Sequence, residues 1–331
     1  MKTNKPIKIL AMGKYLPKAV SSEELENNLG FPLGWSERYS GVKNRHHVTF
    51  EHNGYMGARA SEIALEKANM TLGDIDLIIA GGATFDYVIP NQASVIKEEM
   101  KDGNKYHPPA IDIDSTCLSF LAALNLCASL LDGDQYKNIL VVSTEVSSKG
   151  LNPNNRETST LFGDAAVAVI VQHAPNSDSF FIKGGQRTYS EGVNNAIIKG
   201  GGLKHHFSTT PYDEKLHSFE MRGKQLLKLA KRKLPEFMDW FFEGTGMSLE
   251  KIPIIIPHQA SKMGLVILDS LYNLKPNQVK STLSKYGNCI AASIPLTLHD
   301  CIENGEVKRG DTCFLVGTSA GFSIGGTLII Y

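Results

Sequence analysis

Short apolar runs rich in β-branched residues recur along the chain, and longer segments of helical periodicity separate them. The runs have almost no polar member, which is typical of strands buried on both faces of a sheet. They are DLIIAGGAT, ILVVST, AAVAVIVQ, IPIIIPHQA, TCFLVGTS and GGTLIIY. The intervening pattern predicts helices over Met56–Ala68, Leu118–Leu131, Met221–Phe242 and Ala292–Glu303. This alternation predicts an α/β protein whose sheets are covered by helices.

Composition narrows the class of protein. The 331 residues include 34 basic and 34 acidic side chains, so no net charge attracts nucleic acid or an anionic membrane. No apolar run reaches the roughly 18 residues that a membrane span needs, and Lys14 and Pro17 interrupt any secretory segment at the start. We therefore expect a cytoplasmic protein. Five cysteines without a CxxC spacing argue against a disulfide framework or a zinc site, so we expect free thiols and no metal.

The chain also contains a weak internal repeat, which predicts two similar halves, 1–175 and 176–331. DIDLIIAGGAT resembles KIPIIIPHQAS, and the segment that follows CLSFLAAL resembles the one that follows NCIAAS. Aligning Asp132-Gly133 with Asn304-Gly305 places Cys117 opposite Cys289, the neighbour of Asn288. Cys117 and Asn288 would then lie at helix starts related by a pseudo-twofold axis. His258 follows a buried strand, where side chains project into a crevice, so we expect the three side chains to converge.

The stretch DIDSTCLSF places Cys117 where a strand ends and an almost wholly apolar helix begins. Free N–H groups and the positive end of the helix dipole favour the reactive thiolate there, whereas burial favours the neutral thiol. The sequence leaves open which effect is larger. A buried cysteine is also a common packing residue, so a catalytic role depends on the partners.

The ordered set of motifs resembles the thiolase superfamily, and within it the β-ketoacyl-acyl-carrier-protein synthase III group. The set consists of Cys117 after DIDST, His258 in PHQAS, Asn288 in YGNCIAAS and the closing GTSAGFSIGG, together with WSERYSGVKNRH and RETSTLFGDAAVAV. The resemblance covers essentially the whole chain. It implies a five-layer αβαβα thiolase-type fold built from two similar halves.

The same resemblance implies an acyltransferase with a Cys117–His258–Asn288 catalytic set. Cys117 would take an acyl group from an acyl-CoA starter, and decarboxylation of a malonyl thioester, expected on acyl carrier protein, would give a β-ketoacyl thioester. Donors from His258 and Asn288 would stabilise the enolate. Backbone N–H groups of Cys117 and of the loop with Ala320 and Gly321 would stabilise the oxyanion.

Further contacts are implied by family position only. Trp35 and Arg156 match the pair that stacks on the CoA adenine, although Tyr39 replaces a family arginine. Ile89 resembles a dimer-interface residue that lines the acyl pocket, so we expect a homodimer. A basic surface for the acidic carrier protein would include Arg222, Lys224, Lys228 and Lys262. No cofactor is implied beyond CoA and the carrier's phosphopantetheine as substrate carriers.

Two alternatives remain open from the sequence. Tyr39 and the Ser319-Ala320 pair depart from the family pattern, which is compatible with a specialised relative that joins acyl chains or transfers an acyl group without decarboxylation. A non-catalytic partner subunit would form no stable acyl-enzyme. The starter chain length and the choice between CoA and carrier-protein donors are not specified by these residues.

Overall fold

The structure, a computed structural model, describes residues 2–331, with side chains from Asn4 onward. The strands are β1 (Lys2–Lys5), β2 (Ile7–Tyr15), β3 (Lys18–Ser21), β4 (Asn44–His47), β5 (Leu77–Gly81), β6 (Ala110–Ile113), β7 (Asn138–Glu145), β8 (Ala165–His173), β9 (Phe180–Thr188), β10 (Ala196–Ile197), β11 (Glu220–Met221), β12 (Ile254–Pro257), β13 (Thr312–Ser319) and β14 (Ser323–Ile330). The helices are α1 (Ser22–Leu29), α2 (Asn53–Lys67), α3 (Gln92–Glu99), α4 (Ser119–Leu130), α5 (Arg156–Ser159), α6 (Gly223–Phe242), α7 (Lys262–Tyr272), α8 (Leu283–Tyr286) and α9 (Ser293–Glu303).

Two five-stranded sheets organise the described chain, and their topologies match. The first has the order β2-β8-β7-β5-β6 and the second the order β1-β9-β14-β13-β12. In each sheet an antiparallel trio continues into a parallel pair, β7 with β5 and β13 with β12. The counterpart of β6 is reduced to a single bridge between Ile255 and Val279. The internal repeat is therefore visible as repeated topology.

The helices form three layers around these sheets. Helices α4 and α9 pack between the sheets in one core, α2 and α3 cover the outer face of the first sheet, and α6 and α7 cover the outer face of the second. Strand β7 shows why the strands are apolar throughout: Ile139 and Val141 belong to the central core, whereas Leu140 and Val142 belong to the outer one. The predicted five-layer αβαβα order is confirmed.

The turns before α4 and α9 correspond in a different register from the one that the sequence predicts. Asp114 Oδ1 accepts the Thr116 N–H, and Asn288 Oδ1 accepts the Ile290 N–H in the same way. Ser119 and Ser293 then cap the preceding turns through their hydroxyls. Asn288 thus corresponds to Asp114, and the position of Cys117 corresponds to Ala291, two residues beyond the predicted Cys289.

The division of the chain at residues 175 and 176 stays a prediction. Strand β1 precedes the first sheet in sequence but pairs with β9 in the second, with Lys5 opposite Phe181. None of the helices within residues 2–331 combines the length and apolar character needed to cross a bilayer.

Candidate active site

Cys117 lies on a tight turn between β6 and α4. Thr116 adopts a left-handed conformation, with φ of 50°, which is unusual for a β-branched residue. The bond from the Thr116 N–H to Asp114 Oδ1 measures 2.8 Å, and the Ser115 N–H donates to Ser119 Oγ at 2.9 Å. These local bonds hold the turn and place the Cys117 thiol, which is half-buried, on the wall of a large cavity.

Burial decides the ionisation of this thiol. It raises the pKa of Cys117 to about 12, and the negative charges of Glu145 and Asp114 act in the same direction. Hydrogen bonds from the backbone N–H groups of Ala320 and of Cys117 itself favour the thiolate but are outweighed. The thiol of the free protein is therefore neutral near pH 7. Of the two opposing effects that the sequence predicts, burial is larger than the stabilisation of the thiolate by the helix start.

His258 follows the last residue of β12. Its N–H donates to the Val316 carbonyl at 2.7 Å, which extends the parallel pairing with β13, and its carbonyl accepts the Ala260 N–H. Burial lowers the pKa of the imidazole to about 4, so the ring is neutral at pH 7. Nδ1 is buried without a hydrogen-bond partner within the described part of the chain. Because an unpaired buried N–H is costlier than an unpaired acceptor, this favours the tautomer with the proton on Nε2.

Both backbone polar groups of Asn288 are hydrogen-bonded. Its N–H donates to Leu161 O at 2.9 Å, and its carbonyl accepts the Gly163 N–H at 3.1 Å. In the side chain, Oδ1 accepts the Ile290 N–H, while Nδ2 donates to Ala260 O at 3.3 Å. One amide N–H remains available, and the bond to Ala260 ties Asn288 to the loop that follows His258.

Cys117, His258 and Asn288 all line the same cavity, which has a volume of about 640 Å³. Cys117 precedes α4, His258 follows β12 and Asn288 precedes α9. The tertiary fold therefore brings these distant segments together. The arrangement offers a thiol beside two neutral hydrogen-bond donors. This set can hold a thioester and stabilise charge on its oxygen.

The loop between β13 and β14 closes one side of the site. Thr116 Oγ1 donates to Ala320 O at 3.3 Å, and Ala320 lies on the cavity wall next to Cys117. Ala320 is not among the residues with positive φ, so alanine is unstrained where the family pattern has glycine. Gly321, with φ of 76°, makes the turn that alanine would resist.

Of the two residues predicted to contact CoA, Trp35 lines the cavity and Arg156 does not. Trp35 lies on the cavity wall and stacks on Tyr39 at a centroid distance of 4.8 Å, where the family pattern has an arginine. Arg156 is exposed, and its guanidinium lies 5.3 Å from the ring of Phe31. The structure therefore brings Trp35, but not Arg156, to the cavity.

The remaining predicted residues are exposed. Ile89, in the loop with a cis Ile89–Pro90 peptide, has 85% of its surface exposed and does not line the cavity of this chain. The basic side chains flank the starts of α6 and α7 on the surface: Arg222, Lys224, Lys228 and Lys262. Among the described residues, no group of three or more His, Cys, Asp or Glu side chains is arranged to hold a metal ion.

Sequence reasoning missed Glu145, which is fully buried at the end of β7. Its carboxylate accepts the N–H groups of Ala83 and Ala291 and the hydroxyl of Thr84. Burial outweighs these bonds and raises the pKa of Glu145 to about 8. The signal was present in VVSTE, where a single acid ends an otherwise apolar buried strand.

Comparison with known proteins agrees with this geometry. Residues 111–188 match the family model described as 3-oxoacyl-[acyl-carrier-protein (ACP)] synthase III, and residues 242–331 match the model of its C-terminal part. The chain is 31% identical to β-ketoacyl-[acyl-carrier-protein] synthase III of Aquifex aeolicus, over 98% of this chain and 99% of that protein. The corresponding enzyme of Rickettsia prowazekii is also 31% identical, over 97% and 98%.

The similarity extends to solved structures. The crystal structure of 3-oxoacyl-[acyl-carrier-protein] synthase III from Aquifex aeolicus superimposes with a TM-score of 0.88 at 28% identity, and the match covers 98% of this chain and 100% of that one. The predicted thiolase-type fold is confirmed.

Proposed function

Because this chain belongs to the 3-oxoacyl-[acyl-carrier-protein] synthase III family, and is an acyltransferase that condenses acyl groups, we propose that Cys117 is its nucleophile and that His258 and Asn288 stabilise the reacting oxygens. The supporting observation is the convergence of these three side chains on one cavity. The names of the relatives give the product class, a β-ketoacyl group on acyl carrier protein. The substrates we propose for it are an acyl-CoA starter and a malonyl thioester on acyl carrier protein.

In the loading step, the Cys117 sulfur attacks the acyl carbon of the acyl-CoA. The new Sγ–C bond replaces the C–S bond to CoA, and the thiol proton leaves with the CoA sulfur. The oxyanion that forms between these events accepts hydrogen bonds from the N–H groups of Cys117 and Ala320, the same groups that favour the thiolate in the free protein. A thiol with a raised pKa reacts slowly unless substrate binding supplies this stabilisation.

In the condensation step, the malonyl thioester loses CO₂, and the electrons of the broken C–C bond move to the thioester oxygen. Nε2–H of His258 and the free N–H of Asn288 hold that oxygen. The carbanion then attacks the acyl carbon, and the Cys117 sulfur leaves and takes up a proton. A neutral His258 suits this role because the step needs a donor and no base.

The partners are proposed on surface chemistry. The exposed cations Arg222, Lys224, Lys228 and Lys262 would hold an acidic carrier protein. Exposed Tyr87, Val88 and Ile89 would be covered in a homodimer, where Ile89 would reach the partner's acyl pocket. The absence of a cofactor requirement and the cytoplasmic location stay predictions.

Trapping with radiolabelled acyl-CoA tests the assignment. We expect one label per chain, located on the peptide that contains Cys117, and none in Cys117→Ala. A label on another residue, or no label with any acyl-CoA, would reject the nucleophile. Addition of malonyl-acyl carrier protein should then release CO₂ in proportion to β-ketoacyl product; acyl transfer without CO₂ would favour the specialised relative.

A further inference from the structure

Glu145 lies where three segments of the cavity wall meet. Its side chain is fully buried, and Oε1 accepts the Ala83 N–H at 2.9 Å and the Ala291 N–H at 3.3 Å. Oε2 is hydrogen-bonded to the Thr84 hydroxyl at 2.6 Å. One carboxyl group therefore joins the end of β7 to the loop after β5 and to the turn before α9. Residues from all three segments line the cavity.

The backbone is shaped around this carboxyl group. Gly82 passes so close that a Cβ there would lie 3.3 Å from Glu145 Oε1. Ala83 and Ala291 are both buried, and a buried N–H without an acceptor costs about 1–3 kcal/mol. Because Glu145 supplies the acceptor for both N–H groups, removing it would leave two segments of the wall free to shift.

The turn that Glu145 holds also orients the Asn288 amide. Ile290, the residue before Ala291, has φ of 47°, which a β-branched residue rarely adopts. Its N–H donates to Asn288 Oδ1 at 2.9 Å, while Asn288 Nδ2 donates to Ala260 O at 3.3 Å. These two bonds fix the plane of the amide and therefore the direction of its remaining N–H. A turn that relaxes at Ala291 would move Ile290 and rotate the amide with it.

We propose that Glu145 is a positioning residue for the condensation step, because it fixes the turn before α9 and, through that turn, the Asn288 N–H that holds the thioester oxygen. The inference rests on the proposed function for the role of Asn288. A hydrogen bond weakens steeply as its angle closes, and a developing charge is stabilised by donors that are already in place. Glu145 acts through Asn288 and touches no atom of the substrate.

This role requires the hydrogen bonds of Glu145 and not its charge. Burial raises the pKa of Glu145 to about 8, so the carboxyl is mostly protonated at pH 7. In that form Oε1 accepts both N–H groups, and the Oε2 hydroxyl donates to Thr84 Oγ1. Glutamine offers the same arrangement with Nε2 as the donor. Glu145→Gln should therefore keep the position of Asn288, whereas Glu145→Leu removes every one of these bonds.

The two half-reactions provide the test. Labelling with acyl-CoA reports the loading of Cys117, and CO₂ release from malonyl-acyl carrier protein reports condensation. In Glu145→Leu, kcat for CO₂ release should fall about tenfold or more, while KM for the malonyl thioester changes less than about threefold. Each chain should still take one acyl label. Glu145→Gln should stay within about threefold of the parent in both steps.

Glu145→Asp covers the case in which Glu145→Leu does not fold. It keeps the carboxyl group but is one methylene shorter, so it should lower kcat for CO₂ release in the same way and to a smaller extent, again with one acyl label per chain. Parental CO₂ release in the folded variants Glu145→Leu and Glu145→Asp would overturn the proposal.

Glu51→Leu is the matched control. Glu51 is also a buried carboxylate that accepts two backbone N–H groups, from Thr49 and Phe50, and the Tyr15 hydroxyl, but none of these residues lines the cavity. Its loss should destabilise the protein, yet kcat for CO₂ release should stay within about threefold of the parent. An equal fall in Glu51→Leu, or a fall in Glu145→Gln as large as in Glu145→Leu, would also overturn the proposal.

A double-mutant cycle separates this inference from the proposed function. Asn288→Ala should lower kcat for CO₂ release, and adding Glu145→Leu to it should lower kcat by less than about twofold further, because both changes remove the same donor. Losses that multiply would reject the positioning role and leave the proposed function intact. Parental CO₂ release in Asn288→Ala would instead reject the proposed role of Asn288.

Discussion

Glu145 Oε1 accepts the backbone N–H of Ala291 at 3.3 Å, and Ala291 stands in the second half where Cys117 stands in the first. The two helix starts share the same turn, with φ of 50° at Thr116 and 47° at Ile290. In one turn, the Cys117 N–H lies against the Cys117 thiol. In the other, the Ala291 N–H donates to a buried carboxylate. Only one of the two related turns is therefore available to a substrate.

The first prediction concerns the charge of this carboxylate. Glu145 ionises above pH 8 or so, and its negative charge raises the pKa of Cys117. Glu145→Gln should therefore increase the thiolate fraction at pH 9.5, and alkylation of Cys117 by iodoacetamide should be about threefold faster or more. At pH 6 the parental carboxyl is protonated, and the two rates should agree.

Exposed Glu66→Gln is the control for this prediction, because it removes a carboxylate of α2 that does not line the cavity. Equal alkylation rates at pH 9.5, or an equally large difference at pH 6, would show that Glu145 does not act through its charge.

A second prediction concerns His258. Because burial lowers the pKa of its imidazole to about 4, the rate of CO₂ release from malonyl thioester should show no inflection from His258 between about pH 5.5 and 8. His258→Ala should lower that rate roughly 10²-fold to 10³-fold, since it removes one donor from the enolate oxygen. His258→Gln, which keeps a donor, should recover part of it.

Exposed His107→Ala should leave the rate of CO₂ release at the parental value. An inflection near pH 6.5 that disappears in His258→Gln would instead mean that the imidazole titrates in this range.

The third prediction concerns Gly317, which lies next to His258. A Cβ at this position would lie 2.6 Å from the Cβ of His258 and 3.2 Å from Leu118 Cδ2. Gly317→Ala should displace His258 and lower condensation by at least tenfold while the protein stays folded. Gly202→Ala meets no atom within 4 Å and serves as the control. Parental condensation rates in Gly317→Ala would contradict the fixed position of His258.

The fourth prediction concerns stability. Asp300 is buried and binds Lys14 at 2.6 Å, Lys285 at 2.8 Å and the Tyr286 hydroxyl at 2.8 Å. Burial acts to raise the pKa of Asp300, but its contacts with His299 and these partners outweigh it and hold the pKa well below its usual range. Asp300→Asn should lower the free energy of unfolding by about 3 kcal/mol at pH 7.

The sign of the pH dependence follows from that depressed pKa. The stabilisation is present above the unfolded-state pKa of about 4 and is lost as the pH falls further. Urea unfolding at pH 7 and pH 3 should therefore show a smaller difference between parent and Asp300→Asn at the lower pH. Glu303→Gln breaks an exposed pair with Lys67 and should change stability by less than about 1 kcal/mol at either pH.

The sequence was sufficient for the layers and for the convergence of Cys117, His258 and Asn288 on one cavity, because apolar periodicity and ordered motifs are local properties. Its register between the halves was wrong by two residues for a physical reason. Helix α4 has twelve residues and is followed by Leu131 before Asp132, whereas α9 has eleven and leads directly to Asn304. An alignment anchored on the turns therefore does not carry over to the helix starts.

Other features depend on tertiary packing that no local pattern records. The sequence cannot show that Arg156 lies over Phe31, because the two residues are far apart in the chain and only the tertiary fold brings them into contact. Ala230 and Leu234 line the cavity but have the periodicity of ordinary core residues. The sequence pattern is the same for a filled core and for an open cavity, because the two differ only in the distance between the helices α6 and α7.

Strand β1 also bears on how the protein is made. It is synthesised before the first sheet, yet its partner Phe180–Thr188 leaves the ribosome only after that whole sheet has been translated. Strand β1 must therefore stay unpaired while the first sheet folds. A gene cut between the two halves would yield an amino-terminal fragment carrying a strand that only the other fragment can accept, and co-expression of the pieces should restore it.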